Sequence, residues 1–391
     1  MQIEPKGPIE LSIVIPCLNE GETLEHCIRK AQAALLAGNI KGEIIIADNG
    51  SRDDSIAIAE RLGARVVHVA EKGYGNALMG GLNSARGKYL LMGDADGSYD
   101  FAEAPRFVAK LREGYDLVQG CRLPSGGGTI ATGAMPVTHR LIGNPAFSFL
   151  ARNMFKARIH DIYCGLRAFT REFYQQLELR CVGMEFATEM IIKASLQGAN
   201  IAEIPITLHK DRRITAKPHL KTIRDGWRTL RFFLLCSPRW LFFVPGMVLM
   251  LLGFIGYGLA LPGVKIGPAQ FDAHTLLFAS LGLMLGYQST WFAIIAKTFA
   301  ITEGILPTDP RIKRFLQITT LERGLVLGVM GMIAGVFLLG GAVLQWRAAG
   351  FGHLDYGYTM RWVIPGVTLC ALGFQTILSC FIISLLGLAR K

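Results

Sequence analysis

The stretch YLLMGDAD, residues 89–96, decides the fold of this chain. Its first four residues are apolar and predict a short buried strand, which places two carboxylates, Asp94 and Asp96, at the carboxyl end of that strand. Two hard oxygen ligands one residue apart suit Mg²⁺ or Mn²⁺. The alternative is a solvated turn, in which the carboxylates accept hydrogen bonds from Gly97 and Ser98.

Alternating strand and helix patterns surround this stretch. Short apolar, β-branched runs predict strands at 11–16, 43–47, 65–69 and 89–92. Helical periodicity falls between them, at 22–37, 54–62 and 74–86. This order predicts a doubly wound α/β sheet, whose ligands gather beyond the carboxyl ends of its strands.

Polar residues follow each of the four predicted strands. The loops read PCLNE at 16–20, DNGS at 48–51, KGYGN at 72–76 and DAD at 94–96. Ordinary turn and helix-capping chemistry explains any one of them, but four on one edge of a sheet favour a nucleotide-binding crevice. The sequence has neither Gly-x-Gly-x-x-Gly after the first strand nor a Walker lysine motif, so dinucleotide and P-loop binding are not predicted.

The second half of the chain is more apolar than the first. Of the 391 residues of the whole chain, 51% are hydrophobic, and the net charge is +11. This composition is too apolar for a purely soluble enzyme. Four stretches reach the roughly 20 apolar residues that a bilayer requires: 240–261, 275–296, 324–345 and 362–388. We therefore predict a soluble domain at 1–217, an amphipathic juxtamembrane helix at 218–239 and a transmembrane domain at 240–391.

The basic residues predict the orientation in the membrane. The connection between the second and third spans is rich in Lys and Arg, and the sequence ends in Arg390 and Lys391. By the positive-inside rule, the N-terminal domain and both termini are cytoplasmic, in the cell (inner) membrane. No secretory signal precedes Leu11, so the first span is expected to direct insertion. The eight cysteines lack metal-type spacing and indicate reduced thiols.

Two segments have the pattern of interfacial helices. Residues 220–235 place basic side chains on one helical face and apolar side chains on another, which suits a helix on the cytoplasmic leaflet. Residues 142–154 are apolar with Arg140 and Arg152 at their edges, and a core helix is the alternative for them. The glycine-rich segment 123–136 is expected to hold no fixed conformation and to form a mobile lid, with an uninvolved surface loop as the alternative.

Three motifs give the chain a family resemblance. SIVIPCLNE at 12–20, ADNGSRD at 47–53 and GDAD at 93–96 resemble the opening blocks of family 2 glycosyltransferases with the GT-A fold. Similarity at 165–169, 185–189 and 203–206 extends it to the branch that makes polyprenyl-phosphate sugars, including dolichyl-phosphate mannose and glucose synthases. The resemblance implies a Rossmann-like GT-A domain. Together with the segments predicted above, the expected fold class is an α/β cytoplasmic GT-A domain, interfacial helices and an all-α membrane domain with four transmembrane helices.

The resemblance also implies roles for single residues. Asp94 and Asp96 hold the Mg²⁺ or Mn²⁺ cofactor, and the nucleotide sugar contacts a set spread over the strand ends: Pro16, Leu18, Glu20, Asp48, Asn49, Gly75, Asn76, Asp94 and Ala95. One of Arg212, Arg213 and Lys217 meets phosphate. Asn49 departs from the family, which often has a second aspartate there. Residues 97–99 lack the Gln or His that relatives often place near the metal, so no third protein ligand is assigned.

In the implied reaction, a lipid monophosphate attacks the sugar. Its second pKa is about 6, so it is largely ionised near neutrality and needs no strong protein base. Arg122 and Arg140 are the candidates to hold this phosphate in line with the anomeric carbon, and direct displacement inverts that centre. Arg167 and Glu189 complete the predicted catalytic set, with a structural ion pair between them as the alternative.

We therefore expect transfer of one sugar from a donor of UDP-glucose or GDP-mannose type to undecaprenyl or dolichyl phosphate. The first alternative is a processive polysaccharide synthase, but such enzymes usually carry Gln-x-x-Arg-Trp, and here Cys236 stands where the Gln belongs before Arg239 and Trp240. The second is a non-catalytic membrane scaffold or transporter with a nucleotide-binding domain. The basic charge comes without a nucleic-acid-binding motif, so no nucleic acid is expected.

Glycine pairs in the predicted spans permit close approach of helices: Gly282 with Gly286, and Gly331 with Gly335. Packing inside one bundle is the first interpretation of these pairs. An interface of a homo-oligomer is the second.

Overall fold

A mixed β-sheet organises the N-terminal part of the chain, and long helices form the C-terminal part. The computed structural model describes residues 8–213 and 222–387. Within these ranges the chain divides into two units, one ending at Phe233 and the other starting at Leu234. Lys217, Arg390 and Lys391, which the sequence analysis singled out, lie outside the described residues. The predicted domain boundaries at 217 and 239 stay predictions.

The first unit contains nine strands: β1 Leu11–Cys17, β2 Gly42–Asp48, β3 Arg65–His68, β4 Tyr89–Met92, β5 Leu117–Cys121, β6 Thr129–Ile130, β7 Arg167–Thr170, β8 Ile201–Pro205 and β9 Thr207–Leu208. Seven of them form one sheet in the order β3-β2-β1-β4-β7-β5-β8. Strand β7 runs antiparallel to both β4 and β5, whereas the other recorded pairs in this sheet are parallel. Strands β6 and β9 form a separate parallel pair.

Eight helices accompany these strands: α1 Leu24–Ala37, α2 Ser55–Arg61, α3 Tyr74–Ser84, α4 Ala104–Arg112, α5 Asn144–Phe155, α6 Arg171–Leu177, α7 Glu185–Gln197 and α8 Thr222–Cys236. A π-helical turn, His139–Gly143, precedes α5. The first four strands and first three helices agree with the predicted segments to within two residues.

The aliphatic runs of β1 and β4 explain why these strands lie at the centre of the sheet. Ile13, Val14 and Ile15 are fully buried, as are Leu90 and Leu91. A strand reads as a continuous apolar run when helices cover both faces of its sheet. The α/β fold of GT-A type is confirmed. The antiparallel β7 is an addition to the doubly wound pattern, and its four-residue run carries no signal for direction.

The two predicted interfacial segments pack against each other inside the first unit. Phe233 of α8 is fully buried and meets the rings of Phe147 and Phe155 of α5 edge-on, at centroid distances of 5.9 and 5.4 Å. The other faces stay exposed and apolar, with Trp227 on α8 and Ile142 in the π-helical turn at 60% and 68% exposure. Each segment therefore has one core face and one unpartnered apolar face.

The glycine-rich segment 123–136 has more structure than expected. Residues 124–126 form a 3₁₀ turn, and β6 pairs with β9 in parallel register. Gly128 packs so closely that an added Cβ would lie 2.2 Å from the carbonyl oxygen of Cys121. The expectation of no fixed conformation is therefore wrong for its first half, which is anchored to the sheet domain.

In the described part of the second unit, a π-helical turn, Arg239–Phe243, comes after α8. Five helices follow: α9 Val244–Ala260, α10 Ala273–Thr302, α11 Pro310–Ile318, α12 Leu321–Ala348 and α13 Tyr356–Leu386. Two short strands, β10 Lys265–Ile266 and β11 Ala269–Gln270, lie between α9 and α10. Four helical segments are long and apolar enough to cross a membrane: Arg239–Ala260, Ala273–Thr302, Leu321–Ala348 and Tyr356–Leu386. They confirm the four predicted spans, the last of which was predicted to end at Leu388, beyond the described residues.

Large apolar side chains cover the outside of these helices. Phe278 and Phe337, for example, are 73% and 77% exposed. Hydrocarbon is the solvent that suits such a surface, because contiguous apolar patches of this extent are rare on soluble monomers. The exposed surface therefore agrees with the predicted membrane spans rather than with helices buried inside a soluble protein.

Glycine contacts hold pairs of spans together. A Cβ on Gly286 of α10 would lie 2.5 Å from the carbonyl oxygen of Gly246 of α9, and one on Gly335 of α12 would lie 2.6 Å from that of Gly366 of α13. Such contacts let helix backbones approach closely where lipid provides no hydrophobic drive for association. One glycine of each predicted pair, Gly286 and Gly335, thus serves close packing inside the bundle, and a homo-oligomer stays a prediction.

Candidate active site

The polar strand ends meet at one edge of the sheet, and a later segment joins them. After β9 the chain returns to the loop that follows β4: the backbone N–H of His209 donates to Ser98 O at 2.9 Å, and that of Arg212 donates to Asp96 O at 3.0 Å. The predicted acidic pair and the predicted basic segment are therefore neighbours.

Asp94 is held in place by a tyrosine and a glycine. The hydroxyl of Tyr74, at the start of α3, donates to Asp94 Oδ1 at 2.8 Å. On the other side, a Cβ at Gly165 would lie 2.8 Å from Asp94 Oδ2, so a side chain there would press on the carboxylate. Burial and the charge of Asp96 raise the pKa of Asp94 to about 6, although the hydrogen bond from Tyr74 lowers it. This site disfavours an uncompensated negative charge.

Asp96 combines a turn with an open carboxylate oxygen. Its Oδ1 accepts from the backbone N–H and the hydroxyl of Ser98, at 2.9 and 2.6 Å. Its Oδ2 lies 3.8 Å from Nη1 of Arg213. Gly97, between Asp96 and Ser98, has φ +73°, a conformation that favours glycine. The turn that stood as the alternative interpretation is present, and it orients Asp96 beside Asp94.

Asp94 and Asp96 are the predicted ligands of a divalent cation. Within residues 8–213 and 222–387, no group of three or more His, Cys, Asp and Glu side chains is arranged to hold a metal. Two carboxylates fit Mg²⁺ or Mn²⁺ that takes its remaining oxygens from water and a diphosphate. The raised pKa of Asp94 agrees with this, since a cation would compensate both the burial and the repulsion from Asp96 that raise it.

Arg213 links the basic segment to the first strand end. Its guanidinium pairs with the buried Glu20, with Nη2 at 2.5 Å from Oε1, and with Asp211, with Nη1 at 3.0 Å from Oδ2. Burial works against its charge, but Glu20, Asp96 and Asp211 outweigh this and raise the pKa of Arg213. The neighbouring Arg212 is exposed, and its side chain runs over Gly97.

Asp48 forms the turn after β2. Its Oδ1 accepts from the N–H of Ser51 at 2.9 Å and its Oδ2 from that of Gly50 at 3.1 Å. His68 of β3 lies 3.2 Å away through Nδ1. Burial opposes ionisation, but these hydrogen bonds outweigh it and lower the pKa of Asp48. The carboxylate keeps acceptor capacity, and the predicted nucleotide contact stays a prediction.

Asn49 uses its amide to organise the next loop. Its Nδ2 donates to Val69 O at 3.0 Å and to Glu71 O at 2.7 Å, and its Oδ1 accepts from the N–H of Gly73 at 2.9 Å. An aspartate at this position could not donate to those carbonyls. The departure from the family pattern therefore has a local structural reason.

Gly75 and Asn76 face the protein rather than an open crevice. A Cβ on Gly75 would lie 2.2 Å from Cys181 O, and the N–H groups of Gly75 and Asn76 donate to Val182 O at 2.9 and 3.3 Å. The Asn76 side chain donates to Lys72 O at 3.0 Å. These contacts fix the start of α3, where Tyr74 stands, and they give both residues a structural role.

Pro16, Leu18 and Ala95 frame the mouth of the strand edge. Pro16 is the next-to-last residue of β1 and pairs with Ala47 of β2. Pro16 and Leu18 are both partly exposed. Ala95 is buried between the two acidic residues, and its carbonyl accepts from Cys27 Sγ at 3.3 Å. Leu18 and Pro16 therefore offer apolar surface beside Asp48 and Glu20.

Arg122 is held by a buried aspartate. Its side chain donates two hydrogen bonds to Asp161, Nε to Oδ2 at 2.7 Å and Nη2 to Oδ1 at 2.9 Å, and its backbone N–H donates a third to Oδ2 at 3.0 Å. Nη1 donates to Tyr99 Oη at 3.3 Å. Burial opposes its charge, but Asp161 outweighs this and raises the pKa of Arg122. Arg140, in the π-helical turn, is exposed. Of the two predicted acceptor-phosphate ligands, Arg140 has the more accessible guanidinium.

Arg167 and Glu189 belong to different networks. Arg167 is fully buried and donates to the carbonyl oxygens of Ala187, Cys164 and Ile162. Glu189 pairs with Lys193 at 3.0 Å and accepts the N–H groups of Arg180 and Cys181. The alternative of an ion pair between Arg167 and Glu189 is wrong, because Arg167 donates to backbone carbonyl oxygens, whereas Glu189 pairs with Lys193 one turn away in α7. Burial lowers the pKa of Arg167.

Two family models match the chain. The glycosyl transferase family 2 model matches residues 12–178, and the model of the glycosyltransferase family 2 C-terminal transmembrane region matches residues 294–387. The low-salt glycan biosynthesis hexosyltransferase of Haloferax volcanii is 34% identical over 378 residues, which cover 96% of this chain and 89% of that relative. The chain belongs to glycosyltransferase family 2. It is a membrane-integral glycosyltransferase with four candidate spans.

Two other relatives of this glycosyltransferase have names that refer to lipid phosphates. A dolichyl-phosphate hexose transferase of Haloferax volcanii is 33% identical, covering 42% of this chain and 69% of the relative. An undecaprenyl-phosphate 4-deoxy-4-formamido-L-arabinose transferase of Klebsiella pneumoniae is 30% identical, covering 74% and 87%. Among solved structures, Mycobacterium tuberculosis glucosyl-3-phosphoglycerate synthase, in complex with Mn²⁺, UDP and glucosyl-3-phosphoglycerate, shares 24% identity at a TM-score of 0.45, covering 58% and 79%.

The glycosyltransferase site contains three residues that sequence reasoning missed: Tyr74, Tyr99 and Asp161. Tyr74 positions Asp94, and the Tyr99 hydroxyl accepts from the N–H of Gly165 at 2.8 Å and from Arg122. Asp161 fixes Arg122. Tyr74 stands in the polar loop KGYGN, so the pattern of polar residues after each strand could have identified it. Asp161 lies 39 residues from Arg122, and nothing local connects the two.

Proposed function

We propose that this glycosyltransferase moves one sugar from a nucleoside diphosphate sugar, of UDP-glucose or GDP-mannose type, to a polyprenyl phosphate, with inversion at the anomeric carbon. The observation that carries the proposal is the acidic pair at the end of β4, placed beside the ion pair of Arg213 and Glu20. The names of two relatives, a dolichyl-phosphate and an undecaprenyl-phosphate transferase, fit this acceptor.

In this proposal Asp94 and Asp96 hold Mg²⁺ or Mn²⁺. When bound, the cation offsets the charge that develops on the departing nucleoside diphosphate. The chain orients both ligands in advance, Asp94 through Tyr74 and Asp96 through Ser98. Such outer hydrogen bonds fix the geometry of metal ligands.

The donor lies along the strand edge in this proposal. Pro16, Leu18 and Asp48 surround the base and ribose, and the exposed Arg212 and the anchored Arg213 flank the diphosphate. Arg213 is fixed by Glu20 and Asp211, so it presents its charge without a further loss of side-chain freedom. Arg212 is the freer of the two.

The acceptor phosphate needs cations rather than a base. Its second pKa of about 6 leaves its oxygen ionised near neutrality. Arg140 is the exposed candidate to bind it, in the π-helical turn whose neighbours Leu141 and Ile142 present apolar surface. An arginine flanked by exposed apolar side chains suits an anionic lipid headgroup. Arg122 keeps the wall of the site in place through Asp161.

We place the catalytic unit and both termini on the cytoplasmic side of the cell membrane. The connection between α10 and α12 supports this orientation, since it carries Arg311, Lys313 and Arg314 on α11. Labelling of single cysteines placed in this connection and in the hairpin of β10 and β11 tests it in intact cells. A reagent added outside the cells is expected to label the cysteine in the hairpin and not the one in α11. Labelling of the cysteine in α11 would show that the orientation is the opposite of the proposed one.

The test is an assay of the full-length protein in detergent with labelled nucleotide sugars, polyprenyl phosphate and Mg²⁺ or Mn²⁺. A lipid carrying one sugar of inverted anomeric configuration is the expected product, and a chelator should abolish it. A polymer would instead identify a processive synthase. No product with UDP- and GDP-linked hexoses would count against the proposed donor class.

A further inference from the structure

Two side chains on neighbouring strands carry buried polar atoms without a partner. Gln119 of β5 and Arg167 of β7 lie opposite each other in the antiparallel pair, and both are fully buried. Within the described residues, Gln119 Oε1 and Arg167 Nε have no hydrogen-bond partner. A buried polar atom without a partner is unfavourable, so the hydrogen bonds that these two side chains do make must offset this cost.

Both side chains donate to the same short turn before β7. Nε2 of Gln119 donates to the carbonyl oxygens of Asp161 at 3.0 Å and of Cys164 at 3.1 Å. Nη2 of Arg167 donates to the same Cys164 oxygen at 2.6 Å. We refer to residues 161–165 as the support turn. Two buried side chains of the sheet therefore fix its backbone.

The support turn contacts two parts of the site. At its start, the carboxylate of Asp161 accepts from the Arg122 side chain at 2.7 and 2.9 Å. At its end, the N–H of Gly165 donates to Tyr99 Oη at 2.8 Å, and a Cβ on Gly165 would lie 2.8 Å from Asp94 Oδ2. One short turn therefore touches both the predicted cation ligand and the arginine that lines the site.

The Asp94 carboxylate has little freedom to turn away from Gly165. Its Oδ1 accepts from the hydroxyl of Tyr74 at 2.8 Å, while its Oδ2 lies on the side of Gly165. The glycine leaves room for this close approach because it has no Cβ. The position of the support turn therefore limits the orientations that the carboxylate can adopt.

We propose that Gln119 is a positioning residue for the cation site, because it holds the support turn, and with it Gly165, against Asp94. This inference rests on the proposed function, in which Asp94 is a ligand of Mg²⁺ or Mn²⁺. Gln119 is fully buried and acts through the turn, whereas Gly165 makes the contact with the carboxylate. Outer groups of this kind fix the geometry of metal ligands and so set metal affinity.

The first test measures cation binding without turnover. Mn²⁺ is titrated into full-length protein in detergent, with UDP or GDP present and acceptor absent, and bound Mn²⁺ is measured by electron paramagnetic resonance. Gln119→Met removes both amide donors at similar side-chain size and should weaken Mn²⁺ binding about tenfold. Gln197→Met is the matched control and should bind like wild type, because Gln197 is exposed in the last turn of α7.

The second test asks whether Gln119 acts through Gly165. Gly165→Ala should press on the carboxylate and weaken Mn²⁺ binding roughly thirtyfold. In the double variant Gln119→Met/Gly165→Ala the turn is free to yield to the added Cβ, so the loss should stay roughly thirtyfold. Independent effects would multiply to roughly 300-fold, and that result would overturn the proposal.

Two further readouts separate positioning from a general folding role. Hydrogen exchange at the N–H of Gly165 should accelerate in Gln119→Met, whereas thermal unfolding should change little, because the variant also removes the unpaired Oε1. High Mg²⁺ should restore most of the turnover of this variant. Lower thermal stability with unchanged Mn²⁺ affinity would instead assign Gln119 to folding alone.

Failure of the proposed function has a different signature. Wild-type protein that binds no Mn²⁺ with either nucleotide would contradict the proposed function and remove the cation role of Gln119 with it. Equal Mn²⁺ binding by wild type and Gln119→Met would contradict only the inference about Gln119.

Discussion

The two units solve the burial of polar groups in different ways. In the first unit charged side chains go into the core with partners, as Arg122 does with the fully buried Asp161. In the second unit the interior contacts are hydroxyl pairs, such as Tyr257 with Ser280 at 2.6 Å, and close backbone contacts at glycine. Water outside the first unit drives apolar burial, whereas lipid outside the second gives no such drive.

This difference separates what each unit can do. The sheet unit can fix charges in a crevice because its continuous aliphatic strands exclude water around them. The helical unit can shape surfaces for a lipid but offers few charges between helices. The residues proposed for chemistry therefore lie in the first unit, and the second provides the apolar surface that suits a bilayer.

The largest expected effect is on chemistry. Asp96→Ala should reduce turnover roughly 1,000-fold, because it removes one of two cation ligands and several kcal/mol of charge stabilisation. Thermal unfolding should change little. The control is Asp54→Ala, an exposed aspartate that makes no side-chain cap on α2. Full activity of Asp96→Ala would mean that this carboxylate only forms a turn.

The next effect tests the glycine packing of the membrane unit. Gly286→Leu should destabilise the protein by about 3 kcal/mol, since overpacking of a tight contact costs this much, and a Cβ there already meets Gly246 O at 2.5 Å. Thermal unfolding in detergent measures it. Gly258→Leu on α9, which has nothing within 4 Å, should be neutral. Equal melting of the two variants would remove the packing argument.

A smaller effect is expected from Asn49→Asp, which restores the residue that the family often has. The change removes the donors to Val69 O and Glu71 O and should cost about 2 kcal/mol of stability. Chemical unfolding measures the loss, with Asn153→Asp on the exposed side of α5 as control. A more stable Asn49→Asp variant would show that the loop does not depend on this amide.

The smallest effect concerns the orientation of Asp94. Tyr74→Phe should lower activity about tenfold, as loss of an outer hydrogen bond to a metal ligand commonly does. Higher Mg²⁺ should restore most of it, because the defect lies in cation affinity. A loss that no Mg²⁺ concentration corrects would assign Tyr74 to folding instead.

Sequence reasoning predicted the strands and helices better than the contacts that their side chains make. The period of the aliphatic runs and the strand-end loops predicted β1 to β4 and the position of Asp94 and Asp96. It could not predict that Arg167 donates to the carbonyl oxygens of Ala187, Cys164 and Ile162, since these contacts depend on how α7 and the loop before β7 pack around the guanidinium. It also predicted no strand at β6, because the partner strand β9 lies 78 residues later in the chain (Thr129 pairs with Thr207).

The sequence by itself determined the alternation of strands and helices, the four spans and the acidic pair, because periodicity, length and local chemistry are properties of neighbouring residues. Only the tertiary structure decided which side chains complete the site. Asp161 reaches Arg122 and Arg213 reaches Glu20 across distances in the chain that no local pattern records. Long-range pairs form because a buried charge needs an opposite charge and hydrogen bonds, and the fold selects which residues supply them.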